Sequence, residues 1–164
     1  MPDTTSAEEN LRQLGIVLPP AWTAPRGMNF VTSARSGNLL FLSGHGPTRP
    51  PGDPAGPVVV GRIGRDLDVE AGYAAARLTG LNLLATMRSA LGSLDRVARI
   101  VKVLGMVACT EDFQDTPKVV NGASDLFVEV FGPEIGRHAR SAVGMQALPS
   151  GMPVEVEMIV EVRE

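Results

Sequence analysis

Near the end of the chain, His138-Ala-Arg-Ser-Ala-Val-Gly144 is followed by Leu148-Pro149 and then by Val154-Glu-Val-Glu-Met-Ile-Val-Glu-Val162. A lone arginine, Arg140, opens a segment that reads as a strand. After a turn, the alternating pattern reads as a second strand that brings Glu155 back towards it. One planar cation near one carboxylate can hold an anionic substrate beside a group that handles water. Guanidinium grips a carboxylate through two parallel hydrogen bonds, which lysine cannot imitate. Beside the apolar run Ser141-Ala-Val-Gly-Met145, Arg140 should be partly buried and therefore in need of an anion. That anion is either a ligand or an internal partner, Glu155 or Glu157. Glu155, on the non-valine face of its strand, either orients or deprotonates a water or is one of three solvated glutamates.

Other reactive types carry weaker signals. His45, in Gly44-His-Gly-Pro47, reads as a loop residue after a buried strand, where function often resides; a satisfied or exposed loop histidine is the plain alternative. His138 reads as a surface residue, and the two histidines have no zinc-ligand spacing. Cys109 reads as a buried, inert thiol. Gly61-Arg-Ile-Gly-Arg-Asp66 is too loose for a phosphate loop, and no dinucleotide fingerprint is present. Asn121 falls in a helix and alone means nothing.

The elements that must position these residues are legible in outline. Ser6-Ala-Glu-Glu9 has capping-box spacing and predicts a short helix from about Ala7 to Leu14, stopped by Gly15. Residues 1–25, with the connector Leu18-Pro19-Pro20, read as an N-terminal arm, and residues 26–164 as a single domain. Phe30 to Ser33 reads as extended, and Gly37-Asn38 as a turn before the strand Leu39–Leu42. Residues 48–57 read as a mobile loop, and Val58–Val60 as a further strand or edge. Asp68 caps a helix to about Leu91, whose predicted apolar face is Ala71, Ala74, Leu78, Leu81 and Ala85. Val97 to Ala108 reads as a central strand. Asp115-Thr-Pro117 begins a second long helix, with Val119, Ala123, Leu126, Phe127 and Val130 inward and Gly132-Pro133 closing it. Ser141–Ala147 and Val154–Val162 are the last strands. The order predicts an α+β domain, a mixed sheet with two helices packed on one face.

Bulk properties bound the function. A chain of 164 residues suits one domain and can bury about 68–70% of its unfolded surface. Aromatic residues are only 4%, so the core must come from Val, Leu, Ala, Met and Ile, and burial by oligomerisation would help. Net charge is −3, which supplies no field for a phosphate backbone and argues against nucleic acid. A single cysteine excludes an intrachain disulfide and suggests a reducing compartment. The acidic start is unlike a signal peptide, and no apolar run reaches the roughly 18 residues of a membrane span. A cytoplasmic protein without a membrane partner is expected.

Taken together, Gly37-Asn-Leu-Leu-Phe-Leu-Ser-Gly44, Asn121 in its helix, Ala139-Arg-Ser141, Leu148-Pro149 and Val154-Glu-Val-Glu157 make a specific pattern. Over about residues 28–163 the chain resembles the Rid family of reactive intermediate deaminases, also called YjgF and often labelled endoribonuclease L-PSP. The resemblance implies a chorismate-mutase-like α+β fold and a homotrimer whose sheets face inward around three inter-subunit clefts. It implies that Arg140 binds the carboxylate of a 2-imino acid and that Glu155 places the attacking water. Gly44 and Asn121 match the family's glycine and helix asparagine. Water would add to the C=N carbon, ammonia would leave, and a 2-oxo acid would remain. No metal or organic cofactor is needed, because an imine is already electrophilic. Three positions depart from the pattern: Phe30 stands for a tyrosine, His45 for a glutamine, and Ala142 for a common cysteine. They place the chain in a divergent branch, with Phe30, His45 and Ala142 still expected at the substrate site. A non-catalytic trimeric module for a small carboxylate metabolite is the alternative, favoured by the missing tyrosine hydroxyl. An RNA-cleaving enzyme fits the charge less well.

Overall fold

The computed structural model describes residues 6–24 and 26–163; residues 1–5 and Pro25 of the expected arm lie outside the described residues, as does Glu164. In chain order the elements are α1 (Ala7–Gln13), β1 (Ser33–Ser36), β2 (Leu39–His45), α2 (Val69–Leu91), β3 (Val97–Ala108), α3 (Thr116–Gly136), β4 (Ala139–Met145) and β5 (Val154–Val162). The strands form one mixed sheet in the order β1-β2-β5-β3-β4. Only β3 and β4 run parallel; the other neighbours are antiparallel. A parallel pair needs a long crossover, and α3 supplies it.

The fold class is the expected α+β, with α2 and α3 packed on each other and on the sheet. Strand β5 shows why the core sits there: Val154, Val156, Met158, Val160 and Val162 are at most 2% exposed, whereas the residues between them are not buried. Period two sends alternate side chains to opposite faces.

Helix α2 begins where Asp68 accepts a hydrogen bond from the Ala71 amide at 2.8 Å, and it ends at Gly92, whose φ of 81° is left-handed. Its buried face differs in part from the predicted one, of which Ala85 is buried as expected. Gly72, Ala75, Ala76, Thr79, Gly80, Leu83 and Met87 face inward, whereas Ala74 is exposed and Leu78 and Leu81 are half-buried. The small residues face inward because α3 comes so close: a Cβ on Gly122 would lie 2.0 Å from the Tyr73 carbonyl oxygen. Residue size at the helix contact therefore outweighs hydropathy in choosing the face.

Helix α3 buries the predicted residues. Its regular helix closes at Gly132-Pro133 as expected. Gly132 (φ 76°, ψ 166°) breaks it, and one further turn carries the chain to Gly136. Val58–Val60 forms no strand; its only pairing is an isolated bridge between Thr48 and Val58. The Arg49 guanidinium instead donates to the carbonyls of Ala55 and Val58 across the intervening loop.

Candidate functional site

Arg140 stands on β4, at the edge of the sheet. It pairs with Val103 of β3, which pairs with Met158 of β5, so its side chain lies on the helix-covered face. One guanidinium nitrogen donates to Asn121 Oδ1 at 2.9 Å and Ser124 Oγ at 3.0 Å, both on α3; the other reaches the Pro117 carbonyl at 3.5 Å. Among the described residues no carboxylate lies within ion-pair distance of it. The internal pair with Glu155 or Glu157 is not made.

His138 is not the surface residue expected. It is half-buried, with Nδ1 2.7 Å from the Gly136 carbonyl oxygen and Nε2 3.0 Å from Ser124 Oγ. A carbonyl only accepts, so Nδ1 carries the proton and Nε2 accepts from the Ser124 hydroxyl. Ser124 is thereby left with its lone pairs towards Arg140. Burial holds the His138 pKa below its ordinary value and the Arg140 charge adds to this, against the pull of the Gly136 carbonyl.

A second group of residues surrounds a cavity of about 600 Å³. Trp22, Phe30 and Met152 supply apolar wall, and Gly44, His45 and Glu155 supply the polar part. The Glu155 carboxylate lies over Gly44, where a Cβ would come within 1.9 Å of Oε1. Any larger residue there would displace the carboxylate. Burial, followed by the neighbouring Glu157 charge, pushes the Glu155 carboxyl above its ordinary pKa. Ser150, at the rim, is the only non-glycine residue with positive φ (56°) among the described residues.

His45 ends β2 and is 4% exposed, so it is not a loop residue. Its Nδ1 lies 2.7 Å from the Ser43 carbonyl oxygen and its Nε2 2.8 Å from Thr86 Oγ1. By the reasoning used for His138, Nδ1 is the donor and the threonine hydroxyl donates to Nε2. Both nitrogens are occupied, so the ring is a fixed wall. Burial lowers its pKa, against the Ser43 hydrogen bond.

The expected residues thus fall into two groups. Phe30, Gly44, His45 and Glu155 share the cavity, whereas Arg140, Asn121 and Ala142 lie near the β4 edge, the Ala142 carbonyl accepting from Thr116 at 3.1 Å. The last strand does not bring Glu155 back to Arg140, because β3 lies between β4 and β5. Strand spacing and rise put the two Cα atoms roughly 14 Å apart. The side chains also point to opposite faces, since Glu155 pairs with Met106 and Arg140 with Val103. Trp22 was missed at the sequence level. The available signal was a lone tryptophan in an aromatic-poor chain, in a proline-rich segment set aside as a connector. Among the described residues no cluster of His, Cys, Asp or Glu could hold a metal ion.

A family model described as "YjgF/chorismate_mutase-like, putative endoribonuclease" matches residues 21–161. The chain belongs to the YjgF family. The match begins before the resemblance seen in the sequence and takes in Trp22. Protein TCP17 of Trypanosoma cruzi is 45% identical to this chain over 152 residues, covering 93% of this chain and 91% of TCP17. The crystal structure of Atu1372 from Agrobacterium tumefaciens, described as of unknown function, has a TM-score of 0.83 and 41% identity, covering 95% of this chain and 92% of that one. A Shewanella oneidensis structure carrying the same endoribonuclease description as the YjgF model has a TM-score of 0.86 and 31% identity, covering 96% and 99%.

Proposed function

We propose that this YjgF-family protein hydrolyses reactive 2-imino acids, and their enamine tautomers, to 2-oxo acids and ammonia. The observation that carries this reading is the guanidinium of Arg140, held by Asn121 and Ser124 with no carboxylate partner among the described residues. Such a group is ready to take a substrate carboxylate as a bidentate ligand. Glu155, in a largely apolar cavity, is placed to orient a water and take its proton as the water adds to the C=N carbon. Proton return to nitrogen and collapse of the adduct release ammonia. Alignment of water and imine, with charge placed where it develops, does the work.

Arg140 and Glu155 are too far apart, and on opposite faces, to meet one small substrate within a protomer. The reading therefore includes a homotrimer in which the β4 edge of one protomer meets the cavity of the next. A head-to-tail interface closing as a ring gives three equivalent clefts. The open sheet face supports assembly, since Phe41 and Val143 there are each 41% exposed.

The test is a coupled assay: an amino-acid oxidase generates 2-imino acids, and semicarbazide trapping is followed with and without this protein. Wild type should divert imine to oxo acid, and Arg140→Ala should not. The second reading, a binding module without turnover, is supported by Phe30, which lacks a hydroxyl, and by His45, whose nitrogens are both engaged. It gains if no imine is turned over while a carboxylate still binds in an Arg140-dependent way. RNA cleavage finds no support in a net charge of −3.

A further inference from the structure

The cavity beside Glu155 is larger than a three-carbon acid requires, and one wall comes from the N-terminal segment. At about 600 Å³ it lies within the roughly 300–1,000 Å³ typical of sites for drug-sized ligands. The Trp22 indole stacks near Phe30, with centroids 6.0 Å apart and planes at 29°, and meets His45 edge-on at 5.9 Å. Met28 and Met152 add to the apolar lining. His45 turns no free nitrogen to the cavity, so Glu155 is its principal ionisable group.

The segment bearing Trp22 is tied down upstream. The Glu8 carboxylate accepts from Arg88 at 2.7 and 3.1 Å and from the Leu94 amide at 3.0 Å. Asn10 donates to the Val130 carbonyl at 2.8 Å, and Leu11 is 1% exposed. Ile16 and Leu18 then pack on the core before Pro19-Pro20 leads to Trp22.

We propose that Trp22, with Phe30 and the two methionines, forms a side-chain pocket selecting 2-imino acids that carry a large aliphatic or aromatic group. This rests on the deaminase reading and specifies its substrate class. The atom balance is that of any imine hydrolysis: one water enters, the C=N bond is replaced by C=O, and nitrogen leaves as ammonia. What the pocket adds is recognition of the group on the far side of the imine carbon. Stacked aromatic walls and flexible methionines suit bulky apolar groups.

The test has two parts. In the coupled assay, imines derived from leucine and phenylalanine are compared with those from alanine and serine. Hydrophobic pockets discriminate by about 10–200-fold per methylene, so wild type should favour the bulky pair in kcat/KM by at least tenfold. Trp22→Ala should bring that ratio towards unity, and Trp22→Phe should restore most of it. Separately, emission from Trp22, the chain's single tryptophan, is recorded while pyruvate or 4-methyl-2-oxopentanoate is titrated. Saturable change at least tenfold tighter for the branched acid supports the proposal. Equal affinity, a preference for small imines, or a ratio unmoved in Trp22→Ala overturns it. Selective binding of the branched acid without turnover of any imine would sink the deaminase reading and keep the pocket. Turnover without side-chain preference would do the reverse.

Discussion

At the scale of single residues, the site depends on space and on hydrogen bonds that hold charged groups still. Gly44 is needed because the Glu155 carboxylate occupies the volume of a Cβ. Gly44→Ala should push that carboxylate aside and lower kcat/KM by about 100-fold, the scale of an ångström's misplacement, with little change in thermal midpoint. Steady-state kinetics beside a thermal melt would check this. In the proposed mechanism Glu155 acts as a base only when ionised, and its pKa is raised by burial. The value of kcat/KM should therefore climb with pH through a pKa above the ordinary carboxylate range, and Glu155→Gln should remove that acid limb. Asn121 would act through Arg140 rather than on the substrate. Asn121→Ala should raise KM about tenfold, as expected for losing a hydrogen bond to a charged group, and change kcat less. An unchanged KM would contradict the positioning role.

At the scale of elements, two contacts matter most. Helices α2 and α3 approach so closely that Gly122 lies against the Tyr73 carbonyl, with Arg77–Glu129 and Tyr73–Asp125 pairs flanking the seam. Backbone cannot yield as a flexible side chain can. Gly122→Ala should cost about 1–3 kcal/mol or more, read as a lower urea midpoint, and Asn121 and Ser124 would shift with α3. The other contact is the seat of α1. Glu8→Ala leaves Arg88 and the Leu94 amide without their acceptor, and should loosen the segment that places Trp22. Acrylamide quenching of tryptophan emission should increase, without any change to a residue of the cavity.

At the scale of the molecule, the proposed sites shared between protomers give a complementation test. Arg140→Ala and Glu155→Gln should each be strongly impaired alone. Trimers reassembled from an equal mixture should recover activity at about a quarter of their clefts. No recovery in confirmed mixed trimers would mean that both groups act within one protomer. The buried His45 and half-buried His138 predict how stability depends on pH. His45 and His138 both have folded pKa values lowered by burial, so below about 6.5 the unfolded chain takes up protons the native state refuses. Their contribution is complete above that pH and is lost as pH falls towards the folded values. Glu155, with its raised pKa, runs the other way: its contribution is present at low pH and disappears as pH rises through its folded pKa. Unfolding midpoints between pH 8 and 5 should fall with acid, less steeply in His45→Gln and His138→Gln.

What the sequence determined by itself was local or periodic. Asp68 and Gly92 mark the ends of α2, because capping acts within one turn. Alternation in Val154–Val162 identified a half-buried strand, because side chains in a strand alternate by covalent geometry. The motif residues gave the family, and with it the expectation of Arg140, Glu155, Gly44 and Asn121 as working groups. The tertiary structure decided what depends on neighbours distant in sequence. It placed β3 between β4 and β5, since the parallel crossover through α3 set β4 at the edge. That separated Arg140 from Glu155 and turned them to opposite faces. It chose the face of α2 from the closeness of α3, which hydropathy does not encode. It also brought His138 under Ser124 and Trp22 over His45, joining residues 14 and 23 positions apart through packing alone. Caps and periods follow from the chain's own geometry, whereas burial and proximity follow from which surfaces meet.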